Sequence, residues 1–456
     1  AIQTILDYHN TIGAVFMSAT PINNSPSEIV DLLNLLLPPQ QRLQKGDLFD
    51  KNVIKKGTLD KIRQISKGRV SYLLDINPKL YPSKAFVGER IKDVPYMKFI
   101  RVPINKKQLS LYSKLYNSEI KTLSQDGRYI LDFILPTPSN KFNAISQQVK
   151  EIFNAPQKWK ASNNINVVEG NVVGEFLQFN NLKNISPKYY KMLQDIFDLI
   201  SKKKGKIMIY HHNVKFGVIF IKQILLTNGF LGEYGQETAN TICSVCGKRY
   251  KNHGKDHPFR AARFIITHGL IDKNVINDSI NKFNLPSNKH GCALKILLGS
   301  RVMKESYDLK AVRNLLIMSR PDNIPMFIQI IGRTIRKNSH ILLEEDQRQV
   351  NIRIYVSSHP NKKELLYEEL KYKDKLIEYK DIQLIEKTLH EVAIDAVINK
   401  NIIQPGLVSS DIGDLKFSPH VKEKHFRYED LNLSTFHNFA NGQEMNLVTY
   451  MIKRAF

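Results

Sequence analysis

Three cysteines in 456 residues are too few to staple a fold of this length. No disulfide framework is expected, and a reducing compartment is the default. No apolar run reaches the roughly 18 residues of a membrane span, and no secretory leader is visible, so neither a membrane nor a secreted protein is expected. The string G-x-x-x-x-G-K followed by Ser or Thr occurs nowhere. A loop of backbone amides to cradle the β- and γ-phosphates of a nucleotide is therefore not encoded. No Asp-Glu pair precedes Ser18 to hold magnesium, and Glu344-Glu345-Asp346 comes much later and reads as a solvated turn. Hydrolysis of a nucleoside triphosphate by this chain alone is not expected. The sequence opens on Ala1, directly in a helix-like segment (Ile2–His9), as a piece cut from a longer polypeptide would.

Positive charge is abundant. Lys and Arg number 67 against 43 Asp and Glu, a net charge of +24. Such an excess points to a polyanion partner, because neutralising phosphates releases condensed counterions; the bland alternative is solubility or a compositional habit favouring Lys, Asn and Ile. A 42% hydrophobic content is that of a globular chain, and the length suggests two or three domains.

Residues 1–40 read as a helix, a short apolar strand (Ala14–Met17) and a helix capped near Ser25, Ser27 and Glu28, stopped by Pro38-Pro39. Residues 41–184 form a basic connector whose part from 136 to 180 is polar and loop-like. Basic residues mixed with aromatics in 93–130 (Tyr96, Phe99, Arg101, Lys106, Lys107, Tyr112, Tyr116) could line a nucleic-acid path or face a core. From 185 to 360, short apolar runs (Lys206–Tyr210, Ala262–Thr267, Ala293–Leu298, Asn314–Met318, Val350–Val356) alternate with helical stretches such as Pro187–Lys202 and Val214–Thr227. That alternation predicts an α/β fold, a parallel sheet with helices on both faces. Residues 361–456 begin as a charged helix with an apolar stripe.

The strongest chemical string is Gln329-Ile330-Ile331-Gly332-Arg333-Thr334-Ile335-Arg336. A helix starting there would put Gln329, Arg333 and Arg336 on one face, two guanidiniums able to clamp a nucleotide's γ-phosphate. The alternative is a basic amphipathic surface helix. Ser18-Ala19-Thr20-Pro21, after an apolar segment, offers a hydroxyl pair at a strand end.

The order of these two strings resembles motifs III and VI of superfamily-2 helicases. Lys206–Tyr210 with His211 resembles motif IV, and Lys295–Arg301 running to Ser306-Tyr307-Asp308-Leu309 resembles motif V. Gln108, Leu111 and Tyr112 after Val102-Pro103 resemble the Snf2-like connector. Arg69-Val70-Ser71-Tyr72, Tyr81-Pro82, Asn338-Ser339-His340 and Leu384–Asn399 are similar to the helicases of large cytoplasmic DNA viruses, the group of the poxvirus early transcription factor small subunit and nucleoside triphosphatase I. The resemblance implies that 185–360 is a RecA-like second motor lobe and 1–40 the tail of a first lobe. It implies ATP with magnesium held mostly by that first lobe, and DNA or RNA as partner. Arg333, Arg336 and Gln329 would face the nucleotide. Ser18, Ala19, Thr20, Gly332 and Asp308 would couple the lobes, and Ser300, Arg301 and His211 would touch nucleic acid. Ser306 stands where motif V commonly has Gly.

Cys243-x2-Cys246-x6-His253-x3-His257 is a second constellation, two thiolates and two imidazoles able to hold Zn2+ as a small insertion at 240–260. The alternative is two buried thiols beside two surface histidines. The resemblance thus implies the C-terminal half of an ATP-dependent helicase or translocase in viral transcription, in host cytoplasm and virion, with a viral RNA polymerase or transcription factor as candidate partner. The rivals are an early transcription initiation factor subunit and an inactive zinc-containing scaffold.

Overall fold

The computed structural model describes residues 2–8, 14–18, 21–22, 24–50, 52–71, 80–92, 94–117, 122–136, 165–168, 171–304, 307–320 and 322–394. Nine strands of these residues form one sheet. They are β1 (Ser83–Val87), β2 (Glu89–Ile91), β3 (Val94–Pro103), β4 (Lys206–Tyr210), β5 (Leu231–Gly232), β6 (Arg263–Thr267), β7 (Ile296–Gly299), β8 (Val312–Ile317) and β9 (Gln349–Ser358). Their order is β5-β6-β7-β4-β8-β9-β3-β2, with β1 also on β9. Every pairing is parallel except β2 with β3.

The central strand β4 is buried along its whole length. Its period-2 geometry sends Ile207 and Ile209 to one apolar cluster, and Met208 and Tyr210 to another. On the first face lie α7 (Pro187–Ser201) and α8 (Ile219–Thr227), contributing Tyr189, Met192, Leu193, Ile221 and Ile224. On the other lie α9 (Lys273–Asn284), α10 (Ile324–Thr334) and α11 (Tyr367–Glu391), contributing Phe283, Phe327, Ile331, Tyr372 and Leu376. A strand buried on both faces carries a continuous apolar run, and that is why the sequence betrayed it. Among the described residues, the helices before them include α1 (Ile2–Tyr8), α2 (Glu28–Asn34), α3 (Thr58–Ser66), α4 (Lys106–Leu115), α5 (Gln125–Asp132) and α6 (Phe179–Ile185), besides a single turn at Lys45–Leu48.

Three features differ from the sequence reading. Ala14–Met17 is not a strand; Val15 is 87% and Met17 92% exposed. An extended apolar segment needs neighbouring strands to satisfy its backbone, and no described strand pairs with it. The connector contributes strands to the sheet, because β1 pairs with the first half of β9 and β3 with its second half. Finally, α10 starts at Ile324, not Gln329, and ends at Thr334, so Arg336 stands beyond the helix. Asn323 sets the start, its side-chain oxygen accepting from the Met326 amide at 2.7 Å. Tyr72, Ser306, 137–164 and residues 395–456 lie outside the described residues.

Candidate functional site

A helix that follows a parallel strand runs back against it. Thus α10 leaves the carboxyl edge of β8 at Asn323 and returns to the amino edge at Thr334. Its end meets the segment just before β8, where the Leu309 amide donates to the Arg333 carbonyl at 3.2 Å. Arg333 is buried, with 8% exposure. Arg336 forms an ion pair with Asp308 at 2.9 Å, and both side chains are about half exposed. Asp308, Arg333 and Arg336 therefore converge at the amino edge, although they lie far apart in sequence from the helix start. Gln329 is half-buried on α10 one turn before Arg333, and Gly332 is buried between them.

The carboxyl edge holds a second arrangement. A cleft of about 440 Å3 opens where β4 and β8 end, lined among others by Arg128, His212, Asn213, Arg301, Ser319 and Arg320. Strand ends of open parallel sheets are where such folds bind ligands. The His212 amide donates to the Ser319 hydroxyl at 2.8 Å. Asn213 donates through its side chain to Tyr129 at 2.9 Å, while its oxygen caps the following turn at Phe216. Arg301 pairs with Asp322 at 2.9 Å, each about half exposed. Burial, followed by the charge of neighbouring His211, pushes His212 down to about 3, so this ring is neutral near pH 7. Its Nδ1 is buried without a hydrogen-bond partner among the described residues.

The expected nucleic-acid residues divide. Arg301 lines the cleft. Ser300 is 1% exposed, its amide bound to the Thr267 carbonyl at 3.0 Å. His211 is fully buried and does not line the cleft; His212 does. Adjacent residues at a strand end point to opposite sides, and sequence alone left open which one pointed outward. His211 instead approaches Asp132 at 3.4 Å. Gly217 makes this possible, because a Cβ there would collide with the His211 ring.

Asp132 belongs to a buried network that sequence reasoning missed. Lys188 Nζ reaches Asp132 at 2.8 Å and both oxygens of Glu368 at 2.9 Å. Glu368 also accepts from the Ser357 amide at 2.8 Å. Burial pushes the Asp132 carboxyl up, but the Lys188 ammonium and His211 outweigh it and hold it down to about 2. For Glu368 burial wins, with the Asp132 charge adding to it, and its carboxyl is raised. The network ties α5, α7 and the start of α11 together directly beneath the cleft. No signal in the sequence marked it, since its members are 56 and 180 residues apart.

In the 93–130 stretch the core reading holds for the aromatics Phe99 and Tyr112, which are buried. Phe99 is fully buried and packs edge-on against Tyr372 at 5.1 Å. Arg101 is bound to buried Glu369 at 2.7 Å. Lys106 and Lys107 are exposed at the start of α4. Of the hydroxyl motif, Ser18 is exposed, while Ala19 and Thr20 lie outside the described residues.

Residues 188–338 match the family described as helicase conserved C-terminal domain. The chain carries a helicase C-terminal lobe. The early transcription factor large subunit homolog of African swine fever virus (isolate Tick/South Africa/Pretoriuskop Pr4/1996) is 36% identical, over 99% of this chain and 42% of that protein. A candidate ATP-dependent RNA helicase of Acanthamoeba polyphaga mimivirus is 28% identical over 88% of this chain and 40% of its own length. The early transcription factor 70 kDa subunit of Monkeypox virus is 26% identical over 75% of this chain and 50% of its own. The chain thus spans half the length of these relatives or less. The arginine cluster falls inside the matched residues, and so do the His212, Asn213, Arg301, Ser319 and Arg320 walls of the cleft. The Arg128, Tyr367 and Glu368 walls of the cleft come from outside them.

Among the described residues, Cys243, Cys246, His253 and His257 form one group whose ligand atoms all lie within 4.8 Å of one another. Cys292, half-buried, is not among them. No described helix is long and apolar enough to cross a membrane.

Proposed function

We propose that this chain is the second lobe of an ATP-dependent nucleic-acid translocase that serves viral transcription in the host cytoplasm. One observation carries the reading: a single buried helix, α10, has at its start a cleft that bears Arg301 and Arg320 beside Asp322, and an arginine cluster at its end. At about 1.5 Å per residue that helix is a rigid strut on the order of 15 Å long. A displacement at one end is transmitted to the other without loss in a flexible loop.

Arg333 and Arg336 would face a nucleotide held by a first lobe with its own phosphate loop and magnesium. Their fixed positive charge stabilises charge developing on the transferred phosphoryl group. Arg336 is well suited to this. Its pair with Asp308 is half exposed, so the pair contributes only about 0–1 kcal/mol and is readily exchanged for a phosphate oxygen. Asp308 then acts as a rest for the guanidinium when the lobes are apart. At the other end, Arg128, Arg301 and Arg320 offer charge to a phosphate backbone, and Asn213 and Ser319 offer polar groups that distinguish no base.

ATP turnover by this lobe paired with an ATP-binding first lobe, with and without DNA or RNA, tests the reading. Stimulation by one polymer names the track. The Arg333→Ala, Arg336→Ala double variant is expected to lose on the order of 10³-fold in turnover. Unchanged turnover in that variant would sink the proposal. The names of the African swine fever and Monkeypox virus relatives favour a second reading, in which ATP turnover serves promoter opening or release. Co-purification with a viral RNA polymerase, together with hydrolysis stimulated only by duplex promoter DNA, would select it.

A further inference from the structure

We infer that residues 243–257 hold one zinc ion that locks the β5–β6 edge of the lobe, independently of the motor chemistry proposed above. Four observations converge. The two thiols and two imidazoles bring their ligand atoms within 4.8 Å of one another. In a zinc tetrahedron with bonds of about 2.0–2.3 Å the corresponding edges are about 3.3–3.8 Å. Closing this group on an ion therefore takes side-chain shifts of about an ångström or less.

The backbone is already shaped for the task. The Gly247 amide donates to the Cys243 carbonyl at 3.0 Å, and the Cys243 amide to the Lys248 carbonyl at 2.9 Å. Gly247 has φ +73°, a conformation that glycine alone adopts without strain. The Val245 amide points at the Cys243 sulfur at 3.5 Å, an arrangement that stabilises a thiolate. Such a turn places both sulfurs on one side of the chain.

The histidines present their lone pairs inward. His257 Nδ1 lies 2.9 Å from the Pro258 carbonyl. A carbonyl only accepts, so Nδ1 carries the proton and Nε2 is left as the ligand atom, the usual outer-shell fixing of a metal-binding imidazole. His253 Nε2 is buried and has no hydrogen-bond partner among the described residues. The two rings meet edge-on at 4.6 Å, and Phe259 closes the other side of His253 at 5.2 Å. A buried, unbonded ring nitrogen is costly, and an ion at this point removes that cost. Two sulfur and two nitrogen donors in a tetrahedron select zinc over harder cations.

The consequence of binding follows from what surrounds the group. Ile242 accepts from Ala262 at 2.7 Å and donates to Gly229 at 2.8 Å, and Ser244 reaches the Cys292 carbonyl at 2.9 Å. The metal loop is thus stitched both to the start of β6 and to the turn before β5. With zinc bound, this edge of the sheet is cross-linked; without it, the excursion between Gly232 and Arg263 is held by its hydrogen bonds and the burial of Ile242.

Metal analysis of protein purified without added metal is expected to give about one zinc per chain. Cobalt exchanged into the site should show the visible bands of a tetrahedral thiolate complex. Cys246→Ser should abolish both. His257→Gln, at a half-exposed ligand, keeps the fold and should surrender zinc to a chromophoric chelator at a lower chelator concentration. Chelation should speed amide exchange within 241–263 and leave α10 protected. Substoichiometric zinc with unchanged exchange, or a Cys243–Cys246 disulfide in protein kept under reductant, would overturn the inference. Loss of ATP turnover plays no part in these readouts, so a failed motor proposal leaves them intact.

Discussion

Lys188 is the residue on which the interior beneath the cleft depends. Its ammonium is 1% exposed and faces two carboxylates, Asp132 and Glu368. Removing one partner from a buried charge group costs about 3–5 kcal/mol, since the remainder cannot return to water. Lys188→Met should therefore lower stability by about that amount in a denaturant melt. Adding Glu368→Gln should recover part of the loss, because one buried negative charge is then removed. No recovery would mean that packing, not charge, dominates at this position. His211 and His212 illustrate the same scale differently. Both follow a strand end, only His211 was a candidate, and a neighbour without a side chain, Gly217, leaves room for that ring to turn inward.

At the scale of elements, α11 carries an unusual acid. Burial raises Glu386 from an ordinary carboxyl value to about 8. The folded state therefore holds a proton that the unfolded chain releases near pH 4.5. Between these values the folded form binds more protons, so stability is greatest on the acid side and falls as pH rises toward 8. Glu386→Gln should remove that slope and stabilise the protein at pH 7 by on the order of 3 kcal/mol. Thermal melts of both forms between pH 5 and 8 check this; parallel curves would refute it. The position matters because α11 and the residues just after it fasten the connector to the lobe, through Arg63 with Glu391 at 3.0 Å and the Ile394 amide with the Val70 carbonyl at 2.8 Å.

For the molecule as a whole, the +24 charge should make nucleic-acid binding steeply dependent on salt. Each phosphate neutralised contributes a slope of about −0.9 for duplex DNA, or about −0.7 for a single strand, in log affinity against log salt. Arg301→Ala with Arg320→Ala should reduce that slope by about 1–2 if both arginines meet phosphates. A fall in affinity with the slope unchanged would place the track elsewhere on the surface. Because α10 runs from the cleft to the arginine cluster, this double variant should weaken stimulation of ATP turnover more than basal turnover.

Buried parallel strands were legible because both their faces are apolar, which makes Lys206–Tyr210 and Asn314–Met318 stand out in any local window. The Cys-His cluster was legible because side chains spaced along a short loop converge locally. The Gln-x-x-Gly-Arg string was legible as a motif, though not as a geometry. What the tertiary structure decided was every relation between distant segments. It alone set which half of β9 receives β1 and which receives β3, that Arg336 leaves its helix to meet Asp308, and that Lys188 is shared by Asp132 and Glu368. The physical reason is the range of the forces. Apolar periodicity and metal-ligand spacing are local and repeat along the chain. A backbone edge pairs with whichever strand the fold delivers, and a buried charge finds its partner across the core, so neither is written in neighbouring residues.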